Sequence, residues 1–163
     1  MKYGCIGEHL GHSFSREIHG RLAEYEYELC EIAPEALDDF ARARKFKAIN
    51  VTIPYKEKIM PHLYKIDEGA RLIGAVNTVV NRGGELYGYN TDFYGMIYML
   101  NSAGIVLKDK TVMILGTGGT GRTAVAVSRH LGAKKIVTVS RNGEVNYQNY
   151  LLVKDVIAFP ALL

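Results

Sequence analysis

The sequence lacks tryptophan and contains only two cysteines and four prolines. Cys5 and Cys30 are far apart and lack the paired spacing of disulfide or metal motifs, so we interpret both as free thiols in a reducing cytoplasm. No apolar run approaches the roughly twenty residues that a membrane helix needs, and no basic-then-apolar leader opens the chain. We therefore expect a soluble protein without a membrane partner.

Charge of either sign is also modest. The formal net charge of +3 and the pI near 8.8 arise from lysines and arginines spread along 163 residues. No basic run is interleaved with aromatic residues, so we expect small anionic molecules as ligands and no nucleic-acid partner. We also expect no metal site, because the spacing typical of metal ligands is missing among four of the five histidines: His9, His12, His62 and His130.

The first part of the chain alternates apolar strands with amphipathic helices. Strands are predicted at residues 2–6, 25–32 and 47–53, with one helix after residue 15 and another opening at Pro34. This βαβαβ rhythm predicts a largely parallel sheet. On the first helix, Ile18 and Leu22 are expected to face inward, and His19 is interpreted as a packing residue on the same side.

The pattern changes after residue 56. Residues 76–81 and 85–89 flank a Gly-Gly turn and predict a hairpin-like edge, and a helix beginning at Asp92 is predicted to end near Gly104. From Lys110 the βαβ rhythm restarts, and residues 155–158 resemble a further strand. We therefore predict an α/β fold with two domains, 1–103 and 104–163, the second an incomplete Rossmann-type domain.

A glycine-rich turn between a strand and a helix carries the second domain's predicted function. Its glycines are Gly116, Gly118, Gly119 and Gly121. In this context glycines let the backbone approach a pyrophosphate at a helix N-terminus, whereas the alternative is an ordinary tight turn. The next strand is followed by Ser140, Arg141 and Asn142, where an arginine favours the 2′-phosphate of NADP over the ribose of NAD. A solvated loop arginine is the alternative.

Polar residues at two other strand ends suggest the chemistry. The run from Asn50 to Lys56 brings Asn, Thr and Lys to a strand end, and a second run ends at Asp92. Each charge alone would be typical of a protein surface. Beside a dinucleotide site, however, a lysine and an aspartate suggest a carbonyl reductase, because hydride transfer to a carbonyl needs a proton donor near the developing alkoxide. The sequence leaves open which of the two transfers the proton.

Four motifs together resemble the shikimate dehydrogenase family: residues 13–19, 50–56, 74–78 and 90–92. The resemblance implies NADP-dependent reduction of 3-dehydroshikimate to shikimate, with a substrate-binding first domain and an NADP-binding second domain. It assigns catalysis to Lys56 and Asp92. It implies substrate contacts from Ser13, Ser15, Asn50, Thr52, Lys56, Asn77 and Asp92. For Ser13 and Ser15, local turn or helix capping is the alternative.

The chain departs from the family in two respects. Arg16 and Gly20 replace the usual proline and asparagine of the first motif, and the family's loop after residues 155–158 is absent. The expected uncovered apolar face would favour association, for example as a homodimer. The alternatives are a quinate/shikimate dehydrogenase, which would tend to use NAD and is disfavoured by Arg141, and a non-catalytic module that only binds shikimate.

Overall fold

The computed structural model describes residues 1–11 and 13–160. The chain divides into two compact units, Met1–Thr91 and Asp92–Leu163. The sequence placed the boundary between residues 103 and 104, after a helix that the structure assigns to the second unit. The reason is packing, since Phe93 of that helix is buried and its ring contacts His130 at a centroid distance of 5.2 Å.

Over residues 1–11 and 13–91, the first unit combines six strands with four α-helices. The strands are β1 (Tyr3–Gly7), β2 (Glu28–Glu31), β3 (Ala48–Val51), β4 (Lys65–Ile66), β5 (Thr78–Arg82) and β6 (Glu85–Tyr89). The helices are α1 (Ser15–Leu22), α2 (Leu37–Ala43), α3 (Tyr55–Lys58) and α4 (Glu68–Ile73). Short 3₁₀ turns at Pro34–Ala36 and Met60–His62 precede α2 and follow α3.

The six strands form one mixed sheet in the order β2-β1-β3-β5-β6-β4. The predicted βαβαβ strands are parallel, with β1 between β2 and β3. β5 and β6 form the predicted antiparallel hairpin, and its turn glycines, Gly83 and Gly84, have φ of 63° and 95°. The hairpin is not the edge of the sheet, because the two-residue strand β4 pairs in parallel with β6. Its shortness explains why no sequence pattern revealed it.

One face of the sheet carries the main core of the first unit. Its fully buried aliphatic and aromatic residues include Ile6, Ile49, Val51, Tyr55, Ile59, Val76, Val79 and Leu86. They alternate with half-buried residues along the strands, as period-two side-chain geometry requires. Burial of each such side chain is worth about 1.5–3 kcal/mol relative to exposure. This core holds the strand ends in place.

The prediction that Ile18 and Leu22 of α1 face inward is wrong. Ile18 and Leu22 are 54% and 73% exposed. His19 instead is half-buried, and its ring stacks on Tyr27 with a centroid distance of 3.9 Å and an interplanar angle of 12°. Helical spacing identified a common stripe for Ile18 and Leu22 but could not show which side of the helix faces the sheet.

The second unit begins at Asp92, the second residue of α5 (Thr91–Ser102), and continues as a parallel βαβ unit. Its elements are β7 (Thr111–Leu115), α6 (Gly119–His130), β8 (Lys135–Val139) and β9 (Val156–Pro160). The sheet order is β8-β7-β9. The chain therefore passes from β7 to β8 on one side, and then crosses to β9 on the other side of β7. Such a reversal of strand order marks the place where dinucleotides bind in open α/β sheets.

We predict that Gly4→Ala lowers the free energy of unfolding by about 1–3 kcal/mol. A Cβ at Gly4 would lie 2.3 Å from the Glu28 carbonyl oxygen on the neighbouring strand, so the backbone would have to move. Gly20→Ala is the matched control, because its Cβ would meet open space on α1 and the change should stabilise the helix by about 0.5–1 kcal/mol. Urea denaturation measures both. Equal effects of the two substitutions would contradict the packing argument.

Candidate active site

Three segments that are distant in sequence meet at the end of β3. The Val51 amide donates to the Asn77 carbonyl at 2.8 Å, and the Val76 amide donates to the Lys56 carbonyl at 2.8 Å. The Asn77 amide donates to the Tyr89 carbonyl at 3.0 Å. Because β5 is antiparallel to both β3 and β6, its first residues lie beside the last residues of the other two strands. The segments 50–56, 74–78 and 89–91 are thereby brought together at the ends of these strands.

A buried amide strengthens this junction. Asn90 is 2% exposed, and its Nδ2 donates to the Ala75 carbonyl at 2.9 Å. A buried carbonyl without a partner would cost about 1–3 kcal/mol, so the bond stabilises the turn between α4 and β5. Asn90 therefore has a structural role, and it directly precedes Thr91 and Asp92 in the chain.

Tyr55 sets the direction of Lys56. The Tyr55 side chain is fully buried, and its hydroxyl donates to the Ile32 carbonyl. Burial raises the pKa of this phenol, and the negative charges of Glu8 and Glu35 add to the effect, so the hydroxyl stays a neutral donor. Lys56, the next residue on α3, is half-buried. Anchoring one residue in the core thus orients its neighbour.

The charge of Lys56 acts on Cys5, in the middle of β1. Burial raises the pKa of the Cys5 thiol, and the positive charge of Lys56 offsets part of that rise. Cys5 and Cys30 are both free thiols, as the sequence predicted.

Side-chain amides and hydroxyls form a continuous row along the strand ends. Asn50 Nδ2 donates to Thr78 Oγ1 at 3.2 Å, and Thr78 Oγ1 donates to Asn77 Oδ1 at 3.1 Å. Asn77 Nδ2 donates to Thr91 Oγ1 at 3.0 Å, and the Thr91 amide returns a bond to Asn77 Oδ1 at 3.0 Å. The two predicted asparagines, Asn50 and Asn77, are thus members of one network.

The serine loop joins this row through a tyrosine. Ser13 Oγ accepts a bond from the Ser15 amide at 3.3 Å, the local turn that was the alternative to ligand binding. The Ser15 side chain hydrogen-bonds to Tyr27, and the Tyr27 hydroxyl donates to Asn50 Oδ1 at 2.6 Å. Thr52 is half-buried and packs against Gly7, where a Cβ would come within 2.7 Å of the threonine methyl group.

Sequence reasoning assigned no role to Tyr27. The alternation of Tyr25 and Tyr27 was visible as a strand signal, but nothing in it indicated that one hydroxyl reaches Asn50. The residues around it line a cleft of about 420 Å³: Tyr3, His19, Tyr25, Tyr27, Ala48, Ile49, Asn50 and Thr78.

Asp92 belongs to the second unit. It is exposed and lies in the first turn of α5, where the helix dipole favours a carboxylate. Its chain neighbour Thr91 is hydrogen-bonded to Asn77, as described above. Within residues 1–11 and 13–160, no group of histidine, cysteine, aspartate and glutamate side chains could hold a metal ion. His12 lies outside these residues.

The glycine turn fits a dinucleotide pyrophosphate. Gly116 has a φ of 117°, which only glycine adopts without strain, and its amide donates to the Val139 carbonyl at 3.0 Å. A Cβ at Gly118 would find no atom within 4 Å, so nothing in the protein's own packing requires glycine there. Gly121 is buried within α6. Tight turn, open approach and close helix packing are the three roles that glycines have in this motif.

The residues predicted to bind the 2′-phosphate of NADP lie at the same end of the second sheet as the glycine turn. Ser140, Arg141 and Asn142 directly follow β8, which is parallel to β7, so they and the glycine turn follow carboxyl ends of adjacent strands. Arg141 and Asn142 are exposed, whereas Ser140 is half-buried and its amide donates to the Val145 carbonyl at 3.2 Å. An exposed guanidinium at this position could bind a phosphate.

Fold and site together define an α/β protein of two units, with a polar site at the strand ends of the first unit and a glycine turn between a strand and a helix in the second. Comparison with known proteins shows which proteins the chain is similar to. Residues 5–79 match the family model described as the shikimate dehydrogenase substrate binding domain. A shikimate dehydrogenase (NADP(+)) from Clostridium beijerinckii is 43% identical over 147 residues, which cover 85% of this chain and 54% of that relative.

Solved structures agree. A chorismate mutase/shikimate 5-dehydrogenase fusion protein from Clostridium acetobutylicum superposes with a TM-score of 0.87 at 35% identity, covering 98% of this chain and 65% of that one. A shikimate 5-dehydrogenase from Thermus thermophilus, in complex with NADP(H) and shikimate, gives a TM-score of 0.74 at 31% identity, covering 98% and 63%. Over the aligned residues, the chain is similar to shikimate dehydrogenases in both sequence and fold.

Two further findings concern the share of the relatives' length that the chain spans and the length of its helices. The chain spans about half the length of the curated relatives it matches, 54% and 58% for the first two. Across the described ranges, none of the helices has the length and apolar character needed to cross a membrane.

We predict that Tyr55→Phe lowers the free energy of unfolding by about 1–2 kcal/mol, because it leaves the Ile32 carbonyl without its buried donor. Tyr87→Phe is the control, since the Tyr87 hydroxyl donates to Glu85 at the surface, at 2.9 Å, and its loss should cost less than about 0.5 kcal/mol. Urea denaturation of both variants measures the difference. A Tyr55→Phe protein as stable as the wild type would refute the anchoring role.

Proposed function

We propose that this protein reduces 3-dehydroshikimate to shikimate with NADPH, reversibly, as a shikimate dehydrogenase of aromatic amino-acid biosynthesis. The observation that carries the proposal is the row of Asn50, Thr78 and Asn77 beside the Lys56 segment. A polyhydroxylated ring acid needs several amide and hydroxyl partners, and these residues supply them at one strand edge. The relatives named shikimate dehydrogenase (NADP(+)) support the same reaction.

The first unit would bind the substrate. Asn50, Thr52 and Asn77 would hydrogen-bond to ring oxygens, and Ser13 and Ser15 would hold the carboxylate. Ser13 Oγ can accept the Ser15 amide and still donate its own proton, so the observed turn and the proposed contact are compatible.

The proton step is assigned to Lys56 and Asp92. Bound NADPH would supply the hydride that reduces the ring ketone. The ammonium group of Lys56 would stabilise the negative charge that develops on the ketone oxygen, and Lys56 and Asp92 together would provide the proton that this oxygen takes up. Lys56 lies on α3, and Asp92 lies in the first turn of α5.

The second unit would bind NADP. Amides at the start of α6 would face the pyrophosphate across Gly118 and Gly119, and Arg141 would pair with the 2′-phosphate, with Ser140 and Asn142 beside it. The cytoplasm is the proposed compartment, since both cysteines are free. A homodimer stays a prediction.

NADP-dependent oxidation of shikimate by the full chain tests the function, with NAD and quinate as parallel controls and shikimate binding measured in the same preparation. Turnover with NADP and shikimate is expected. Preference for quinate and NAD would identify a quinate/shikimate dehydrogenase instead. Shikimate binding without turnover would identify a binding module, and the absence of both would refute the proposal.

Lys56→Ala should lower kcat by about 10²–10⁴-fold and leave NADP affinity within about twofold, because a proton-step residue is lost while the cofactor residues remain. Lys58→Ala is the matched control, since Lys58 lies on the same helix and is exposed. Steady-state kinetics and cofactor titration measure the two effects. Unchanged kcat in Lys56→Ala would refute the catalytic assignment.

Arg141→Ala should raise the KM for NADP about 10–100-fold and change that for NAD little, because only NADP carries the 2′-phosphate that the guanidinium would bind. Arg129→Ala, at an exposed position in the last turn of α6, should leave both values within about twofold. The ratio of the two KM values is the readout. A parallel rise for NADP and NAD would show that Arg141 does not recognise the phosphate.

A further inference from the structure

From Tyr27 to Asn77 the side-chain hydrogen bonds run in one direction, and between Asn77 and Thr91 bonds run both ways. The Tyr27 hydroxyl donates to the Asn50 oxygen, the Asn50 nitrogen to Thr78, and the Thr78 hydroxyl to the Asn77 oxygen. The Asn77 nitrogen donates to the Thr91 hydroxyl. We call these five residues the amide relay. All of them lie within the first unit.

The direction follows from the chemistry of the first member. A protonated phenol has one O–H, and here it is directed at Asn50, so the Asn50 oxygen must accept. Once that oxygen is directed to Tyr27, the Asn50 amide group points its nitrogen toward Thr78. The Thr78 hydroxyl accepts this bond and uses its own proton on Asn77, which orients the second amide in the same sense.

This orientation decides what the two asparagines can offer a ligand. Each amide nitrogen has two N–H groups and uses one of them within the relay. The amide oxygens accept from protein donors, at 2.6 Å from Tyr27 for Asn50 and at 3.0 Å from the Thr91 amide for Asn77. Both side chains therefore have an N–H to donate to a ligand oxygen.

We propose that Tyr27 is a positioning residue that holds Asn50 and Asn77 as hydrogen-bond donors toward oxygen atoms of the substrate. This inference rests on the proposed function and adds a residue to it. It also specifies the chemistry of recognition: each of the two asparagines donates an N–H to a ring oxygen, while the Asn77 oxygen, which already accepts from Thr78 and Thr91, takes up no hydroxyl proton of the ligand.

The surroundings of Tyr27 suit a fixed donor. Tyr27 is 7% exposed, and its ring stacks on His19, which restricts its rotation. Burial is the main cause that raises the pKa of the Tyr27 phenol, while the hydrogen bond from Ser15 offsets part of the rise. The phenol therefore stays protonated, and the relay keeps its direction, throughout the neutral and mildly alkaline range.

Tyr27→Phe tests the inference in the full chain, because phenylalanine keeps the ring on His19 and removes only the hydroxyl. Shikimate affinity, measured by calorimetry, should fall about tenfold, since the Asn50 amide is then free to turn. Tyr87→Phe is the control; it removes a surface hydroxyl bond of the same unit and should change affinity less than twofold. Equal affinity of Tyr27→Phe and the wild type would overturn the inference while leaving the proposed function intact.

A double-mutant cycle separates positioning from a general structural effect. If Tyr27 acts through Asn50, then adding Tyr27→Phe to an Asn50→Ala protein should cause no further loss of shikimate affinity. Independent, multiplicative losses would overturn the inference. Thermal denaturation of every variant verifies that each is folded.

A measurement without ligand keeps the two hypotheses distinct. In ¹H–¹⁵N spectra, Tyr27→Phe should shift the side-chain amide signals of both Asn50 and Asn77, whereas Tyr87→Phe should leave them in place. Unshifted signals would overturn the inference. A wild-type chain that does not bind shikimate would refute the proposed function, and with it the substrate that the relay is proposed to hold, whatever the spectra show.

Discussion

The first unit depends on the backbone hydrogen bonds that join the segments around Val51, Val76 and Asn77. These bonds replace ordinary strand pairing where β3 ends, so three polar motifs of distant sequence position are held side by side. Backbone bonds are well suited to this task because they orient whole segments, whereas side-chain bonds orient single groups.

Two buried tyrosines connect neighbouring parts of the first unit to this hydrogen-bonded junction, each in a different way. Tyr55 anchors α3 in the core, and Tyr27 links the serine loop to Asn50 on the other side of the strand end. Both keep a neutral hydroxyl because burial raises their pKa values. Tyrosine is suited to such positions because it combines a large apolar surface with one directional donor.

The second unit relies on backbone geometry instead of a side-chain network. Its glycine turn combines a left-handed φ at Gly116, open space at Gly118 and a buried Gly121, and it lies where the strand order reverses about β7. A phosphate site built on such a turn would need amide donors and close approach more than specific side chains. This explains why its motif is short and readable, while the amide relay of the first unit is not.

The sequence by itself determined the order of elements, the parallel βαβ units, the hairpin and the glycine turn, because these depend on local periodicity and on residues with special backbone freedom. It also indicated the polar strand ends. Only the tertiary structure decided that Ile18 and Leu22 face solvent, that a two-residue strand extends the sheet, and that Tyr27 bonds to Asn50. These features depend on contacts between segments far apart in the chain, and local patterns contain no information about which distant partner a side chain meets.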